Sequence, residues 1–150
     1  MQKPSFSFSY LGFNLKNEKF KDIRIRQALS LAIDRQELVD ILFFGYGKVC
    51  NGPFLPNSFA YNEDIKTITQ DIIKAKELLK EAGYDENHPF SFEVVTNTGN
   101  DIRINAALIL QYQLQKAGIK MNIRVMEWQA FLNTVVHPRN FEAVLLGWSM

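Results

Sequence analysis

The fold is decided by Phe20-Lys-Asp-Ile-Arg-Ile-Arg-Gln-Ala-Leu-Ser-Leu-Ala-Ile-Asp-Arg35, a capped amphipathic helix followed at once by the cap of a second helix. Asp22 can accept backbone N–H bonds at the first turn, where its charge also suits the positive helix end. Apolar residues recur at i, i+3, i+4, i+7 and i+8 and predict one buried face: Ile25, Ala28, Leu29, Ala32 and Ile33. Asp34 can cap the next helix, whose apolar residues are Leu38, Val39, Leu42 and Phe43. The stretch therefore predicts a helical hairpin in a globular core.

Further helices are predicted from periodic apolar residues and from the residues that end them. One runs from Asp71 to Ala82 and another from a cap at Asp101 to about Ala117, and a glycine follows each. Trp128 to Val136 indicates a short helix, which His137-Pro138 breaks. Gly45-Tyr-Gly47 should end the second helix of the hairpin, since glycine tolerates the left-handed geometry of a helix stop.

Strand patterns alternate with these helices after residue 90. Phe90 to Val94 and Ile119 to Met126 have apolar residues at alternate positions. Val144 to Trp148 is nearly all apolar, as a central strand covered on both faces is. The order β-α-β-α-β requires crossover helices, so we predict an α/β fold, a parallel or mixed sheet flanked by helices.

The N-terminal segment predicts one more strand, followed after the hairpin by a long loop. Apolar residues alternate in one phase and then in the other: Phe6, Phe8 and Tyr10, then Leu11, Phe13 and Leu15. We expect a bulge or a change of face near Tyr10 and Gly12. Residues 48–70 predict an ordered, irregular loop with four side chains that favour burial: Phe54, Leu55, Phe59 and Tyr61.

The composition is ordinary for a soluble globular domain and excludes several classes of protein. The chain has 150 residues, 47% of them hydrophobic and 22% charged, and a formal net charge of +1. This balance gives no electrostatic reason to expect a nucleic-acid partner. Neither a membrane-spanning apolar stretch nor a signal peptide is visible. Because the chain stops just after a buried strand pattern, we expect a piece of a longer protein.

The residues that catalysis or metal binding would need are sparse. Cys50 is the only cysteine, and His88 and His137, each followed by proline, are interpreted as solvated loop histidines. No G-x-S-x-G motif, phosphate-binding glycine loop or metal-ligand spacing occurs. We therefore predict no cofactor, no metal site and no catalytic residues, and do not expect an enzyme.

Several motifs, in order along the chain, resemble one protein family. The helical stretch reads F-x-D-x-R-x-R-Q-A-L-x-x-A-I-D-R, which closely resembles the second lobe of extracytoplasmic solute-binding proteins of peptide- and nickel-type ABC transporters (family 5, oligopeptide- and dipeptide-binding proteins). Similar segments follow the family order: Tyr10-Leu-Gly-Phe-Asn14, Gly52-Pro53 with Pro56, Ala75 to Tyr84, Asn97 with Gly99-Asn100 and Arg103, Leu114 to Ile119, Glu127-Trp128 with Phe131-Leu132, and Gly147-Trp148. The resemblance covers about residues 10–149.

The resemblance implies a binding protein with two α/β lobes joined by a hinge. Ligand would bind in the cleft between the lobes, and the closed form would deliver it to ABC permease subunits. Residues 1–150 would be a single α/β lobe, most of the second one, and its partners would be a peptide or similar small solute, the permease and the missing first lobe. The implied location is periplasmic or extracellular, where an anchored lipoprotein is one form.

The resemblance also suggests ligand-binding residues, each with a structural alternative. Trp148 and Gly147 would lie at the cleft; equally, Trp148 could be buried core and Gly147 could fit a packed strand end. Asn97, Thr98, Gly99 and Asn100 follow a strand at its carboxyl end, where open α/β sheets bind ligands, or are turn residues only. Arg103 is expected in an ion pair with Glu127 or Asp101. Leu145 stands where some oligopeptide binders carry a basic residue.

Other functions stay open at this point. Within the transport class the ligand could be a nickel complex, an opine or a sugar. A different class is a signalling relative that uses the same lobe to sense peptides without transport. An enzyme would need its catalytic residues outside this chain. The aspartate that holds the amino group of the peptide in relatives falls beyond Met150.

Overall fold

A computed structural model describes residues 7–55 and 58–149. Four strands form one sheet in the order β1-β4-β2-β3. The strand bounds are β1 Ser7–Phe13, β2 Ser91–Asn97, β3 Lys120–Met126 and β4 Ala143–Ser149. β2 is parallel to both β3 and β4, whereas β1 is antiparallel to β4. The sheet is therefore mixed, β4 is a central strand, and the α/β prediction is confirmed.

Helices join the strands and cover the sheet. Their bounds are α1 Ile23–Ala32, α2 Arg35–Phe43, α3 Ile72–Glu81, α4 Asp101–Lys116 and α5 Trp128–Phe131. A short 3-10 helix, Glu18–Phe20, precedes α1, and a π-helical segment, Leu132–Val136, continues α5. The helical hairpin, the two longer helices and the short helix after Trp128 all form where the periodicity predicts them.

The caps explain where the helices begin. Asp22, Asp34 and Asp71 each accept a backbone N–H from the first turn of the following helix. α4 differs from the prediction, because Asn100 and not Asp101 is its N-cap. The Asn100 side chain accepts the N–H of Arg103 at 3.0 Å, and Asp101 lies inside the first turn, where its charge suits the helix dipole.

Each face of the sheet has its own core. α1, α3 and α4 pack on one face around a cluster of aromatic rings, with Phe13 stacked on Phe20 at 4.9 Å between ring centroids. α5 and the segment after it cover part of the other face: Val95, Phe131, Val135, Val144 and Leu146. Because strand side chains alternate between faces, Leu145 joins the first core and Leu146 the second.

β1 runs without a bulge, and its apolar residues change face after Tyr10, so the second of the two predicted alternatives is confirmed. Its pairing with β4 runs without interruption from Ser7 opposite Ser149 to Phe13 opposite Ala143. The phase change has another cause. Leu11 and Phe13 pack on the helical core, whereas Tyr10 lies on the opposite face, where a Cβ at Gly12 would come within 3.3 Å of its ring. Phe6 of the predicted alternation lies outside the described residues.

The long loop is less buried than predicted. Leu55 is buried and Tyr61 is half-buried, but Phe54 and Phe59 are exposed, so the prediction is wrong for these two residues. Phe54 lines a surface groove instead of the core. No contact among the described residues explains why Phe59 is exposed. Pro56 lies outside the described residues. α2 ends at Phe43, which is also exposed, and Phe44 adopts the left-handed cap conformation with φ of 51° just before Gly45.

Candidate functional site

The predicted site residues lie at the edge of the sheet where the parallel strands end. Asn97 is the last residue of β2, and Gly147 and Trp148 are near the end of β4. The antiparallel strand β1 begins at the same edge, so Phe8 lies directly opposite Trp148. In open α/β sheets this carboxyl edge is where ligands bind.

The loop from Asn97 to Asn100 has a conformation fixed by its own hydrogen bonds. Asn97 is buried and its Nδ2 donates to the carbonyl of Thr98 at 2.8 Å. The N–H of Thr98 donates to the carbonyl of Met126 at 2.7 Å, which ties the loop to β3. Gly99 has a φ of +77°, and Asn100 caps α4. Turn chemistry thus accounts for Gly99 and Asn100, while Thr98 and Gly99 are exposed at the edge.

Arg103 joins the ends of β2 and β4. Its Nη1 donates to Oδ1 of Asn97 at 2.7 Å, and its Nη2 lies 3.0 Å from the position that a Cβ on Gly147 would occupy. The expected ion pair is wrong: within residues 7–55 and 58–149, Arg103 pairs with neither Glu127 nor Asp101. The Glu127 carboxylate instead caps α5 by accepting the N–H of Ala130 at 3.0 Å. A Cβ at Gly147 would be in tight contact with the Arg103 guanidinium and, at 3.3 Å, with the backbone carbonyl of Phe8.

Trp148 borders an open groove. The side chain is 60% exposed, so the alternative that it is buried core is wrong. Trp148 shares with Phe8, Tyr10 and Phe54 a groove of about 740 Å³ between β1 and the long loop. We name this space, which Ile65 and Ile68 also line, the aromatic groove. Sequence reasoning missed it as a site, although the phase change in β1 was a signal that some of its aromatic residues face away from the helical core.

Two half-buried polar side chains, Arg35 and Cys50, line the groove. Arg35 extends into its wall, where Nη2 donates to Oγ of Ser30 at 2.7 Å and Nη1 to the carbonyl of the same residue at 3.0 Å. Desolvation lowers the pKa of the Arg35 guanidinium, and burial raises the pKa of the Cys50 thiol, which lines the same groove. The aromatic and aliphatic side chains along the groove can contact apolar groups of a ligand.

The histidines lie apart from this edge. His88 is exposed and stacks on Tyr84 with 5.5 Å between ring centroids, and His137 is exposed just after the π-helical segment. Both are surface residues as predicted. No cluster of three or more histidine, cysteine or acidic residues that could hold a metal ion occurs among the described residues. In the same part of the chain no helix combines the length and apolarity required to cross a bilayer.

Comparison with known proteins agrees with this architecture. A family model described as "Bacterial extracellular solute-binding proteins, family 5 Middle" matches residues 1–150. The oligopeptide-binding protein AppA of Bacillus subtilis (strain 168) is 36% identical over 97% of the chain, and the match spans 29% of that relative. The chain thus spans under a third of the length of this curated relative.

Solved structures give the same result. The structure of B. subtilis AppA in complex with a nonapeptide has a TM-score of 0.87 at 37% identity, and covers 97% of this chain and 32% of that one. DppA from Helicobacter pylori in complex with peptide STSA has a TM-score of 0.88 at 30% identity, over 97% of this chain and 28% of that one. NikZ from Campylobacter jejuni in complex with Ni(L-His) also reaches 0.88, at 28% identity over 100% of this chain and 31% of that one.

Proposed function

The chain belongs to the bacterial extracellular solute-binding proteins of family 5, and we propose that it forms one wall of the ligand cleft in the binding protein of an ABC peptide importer. Support comes from relatives that are named as oligopeptide- or dipeptide-binding proteins, and from neighbours whose structures contain peptides. Residues 1–150 form most of one lobe, which works with a second lobe and delivers peptide to the permease subunits in the membrane. The parent protein is periplasmic or extracellular and catalyses no reaction.

The observation that carries the proposal is the exposure of Trp148 at the carboxyl edge of the sheet. Trp148 is 60% exposed and adds its ring to those of Phe8, Tyr10 and Phe54 along the aromatic groove, and a contiguous exposed apolar surface of this kind marks a binding site. Trp148 stacks on a side chain of the peptide. Gly147 contributes its backbone at the end of β4, where the Arg103 guanidinium occupies the space beside its Cα.

The loop at the end of β2 supplies polar contacts in this proposal. Thr98 and Gly99 present their backbone to the cleft, since both are exposed at the same edge as Trp148. Asn97 and Asn100 hold that backbone in place through the hydrogen bonds described above. Closure of the two lobes then encloses the peptide, and the binding energy shifts the equilibrium from the open to the closed form.

Calorimetry on the full-length protein tests the role of Trp148. We expect di- to nonapeptides to bind, and Trp148→Ala to raise Kd by about 30-fold, which is the loss of an aromatic anchor worth about 2 kcal/mol. Tyr112→Ala is a matched control, because Tyr112 is also 60% exposed but lies on α4. Equal affinities for Trp148→Ala and the control would remove Trp148 from the site.

Two further measurements separate the alternatives. NikZ in complex with Ni(L-His) makes a nickel complex the second candidate ligand, so nickel with L-histidine is titrated in the same way. Binding of that complex without binding of any peptide would replace the proposed ligand class. Recovery of the peptides intact after incubation is the result expected of a binding protein, whereas their hydrolysis would show an enzyme.

A further inference from the structure

We propose that the aromatic groove selects peptide side chains by charge, accepting apolar side chains and rejecting basic ones. The inference rests on the proposed function, because it assumes that a peptide side chain enters the groove. It adds a selectivity that follows from the residues of this chain.

The walls of the groove suit an apolar side chain. Phe8, Tyr10, Phe54 and Trp148 contribute aromatic rings, and each ring is at least partly accessible to solvent. Ile65 and Ile68 complete the wall on the loop side, and both are exposed. A ligand side chain that covers these surfaces removes apolar area from water on both partners, which favours binding.

The charges at the groove all have one sign. Arg35 and Lys66 line it, and no aspartate or glutamate does so among the described residues. The guanidinium of Arg35 donates to neutral oxygens, chiefly the carbonyl and hydroxyl oxygens of Ser30, so no carboxylate neutralises its charge. Lys66 is exposed and makes no ion pair within the described residues. The groove is therefore a cationic surface with apolar walls.

A ligand ammonium group would meet three unfavourable terms in this groove. It would lose part of its hydration, it would find no carboxylate partner, and it would be repelled by two cations. Arg35 is half-buried, so water screens its charge less than that of a fully exposed side chain. An apolar side chain of the same length meets none of these terms.

The test uses calorimetry on the full-length protein and alanine tetrapeptides in which each position in turn carries norleucine or lysine. The two side chains have the same four-carbon stem and differ in the ammonium group. At the position that enters the groove, we expect norleucine to bind at least about tenfold more tightly than lysine. Lys66→Glu should reduce this ratio about fivefold or more, since it replaces a repelling charge by an attracting one.

Lys76→Glu is the matched control, because Lys76 is exposed on α3 and outside the groove. Arg35 is left unchanged, since its hydrogen bonds hold the wall together. Equal affinities for norleucine and lysine at every position, or equal ratios in Lys66→Glu and Lys76→Glu, would overturn the charge selectivity and leave the proposed function standing. Failure of every tetrapeptide to bind would overturn both.

Discussion

Gln113 provides the sharpest test of how the helical hairpin is held on α4. Its side chain is fully buried and makes three hydrogen bonds to the junction between α1 and α2. Nε2 donates to the carbonyl of Asp34 at 3.1 Å and to Oε2 of Glu37 at 2.6 Å, and Oε1 accepts the N–H of Asp34 at 3.1 Å. Because Asp34 is the cap of α2, this one side chain fixes the start of that helix.

The expected cost of Gln113→Leu follows from these bonds. The N–H of Asp34 is left without its acceptor, which costs about 1–3 kcal/mol. Loss of the other two bonds costs about 0.5–1.5 kcal/mol each, although the Asp34 carbonyl keeps a bond from the N–H of Leu38. We therefore expect a loss of about 3 kcal/mol in the free energy of unfolding.

Urea unfolding followed by circular dichroism measures this loss. With an m-value of about 2 kcal/mol/M for a chain of this size, the midpoint should fall by about 1.5 M. Gln115→Leu is the control, because Gln115 is exposed on the same helix, and its midpoint should change by less than about 0.3 M. If Gln113→Leu unfolds at the same urea concentration as the control, the hydrogen-bond reasoning is refuted.

Four other outcomes are expected. Backbone N–H bonds of α5 lower the pKa of the Glu127 carboxyl from its usual 4.5. The contribution of the ionised carboxylate to stability is therefore present above pH 4.5 and is lost as the pH falls through the lowered pKa. Urea midpoints measured down to about pH 3 should fall less steeply in Glu127→Gln than in the unaltered chain. Asn100→Ala should lower the free energy of unfolding by about 1 kcal/mol, and Asn100→Asp should not, because aspartate also caps helices. Gly147→Ala should lower the free energy of unfolding by about 1–2 kcal/mol, and by less when Arg103 is also replaced by alanine. If the losses of the two single variants add up in the double variant, the contact between these positions is contradicted. The 150-residue chain alone should unfold cooperatively yet bind peptide weakly in calorimetry, since the opposite wall of the cleft is absent.

Much of the fold could be predicted because local signals agree with tertiary packing. Asp22, Asp34 and Asp71 each stand before a run of apolar residues with helical spacing, and all three are caps. At α4 two polar residues are adjacent, and the sequence does not distinguish which one caps. Asn100 does so because its own backbone is non-helical, with a φ of −134°, while Asp101 is already the first residue of the helix.

The site was less predictable, because it depends on contacts between distant segments. The amide of Asn97 bonds Arg103, and Gly147 faces the same guanidinium, so three positions separated by up to 50 residues form one unit. The ion pair predicted for Arg103, with Glu127 or Asp101, does not form because the guanidinium donates to the Asn97 amide oxygen instead. The groove at Trp148 is likewise formed by a loop whose path over β1 no local pattern specifies.

The uninterrupted ladder between β1 and β4 also has a mechanical consequence. Ser7 lies opposite Ser149, so the first and the last of the described residues lie at adjacent points. A force that pulls those two points apart loads the seven pairs of the ladder one after another, as in opening a zipper, and does not shear them together. The unit is therefore compliant along that direction. Because the two points are adjacent, the unit can be inserted into a loop of another domain, and both junctions can be joined without stretching either chain.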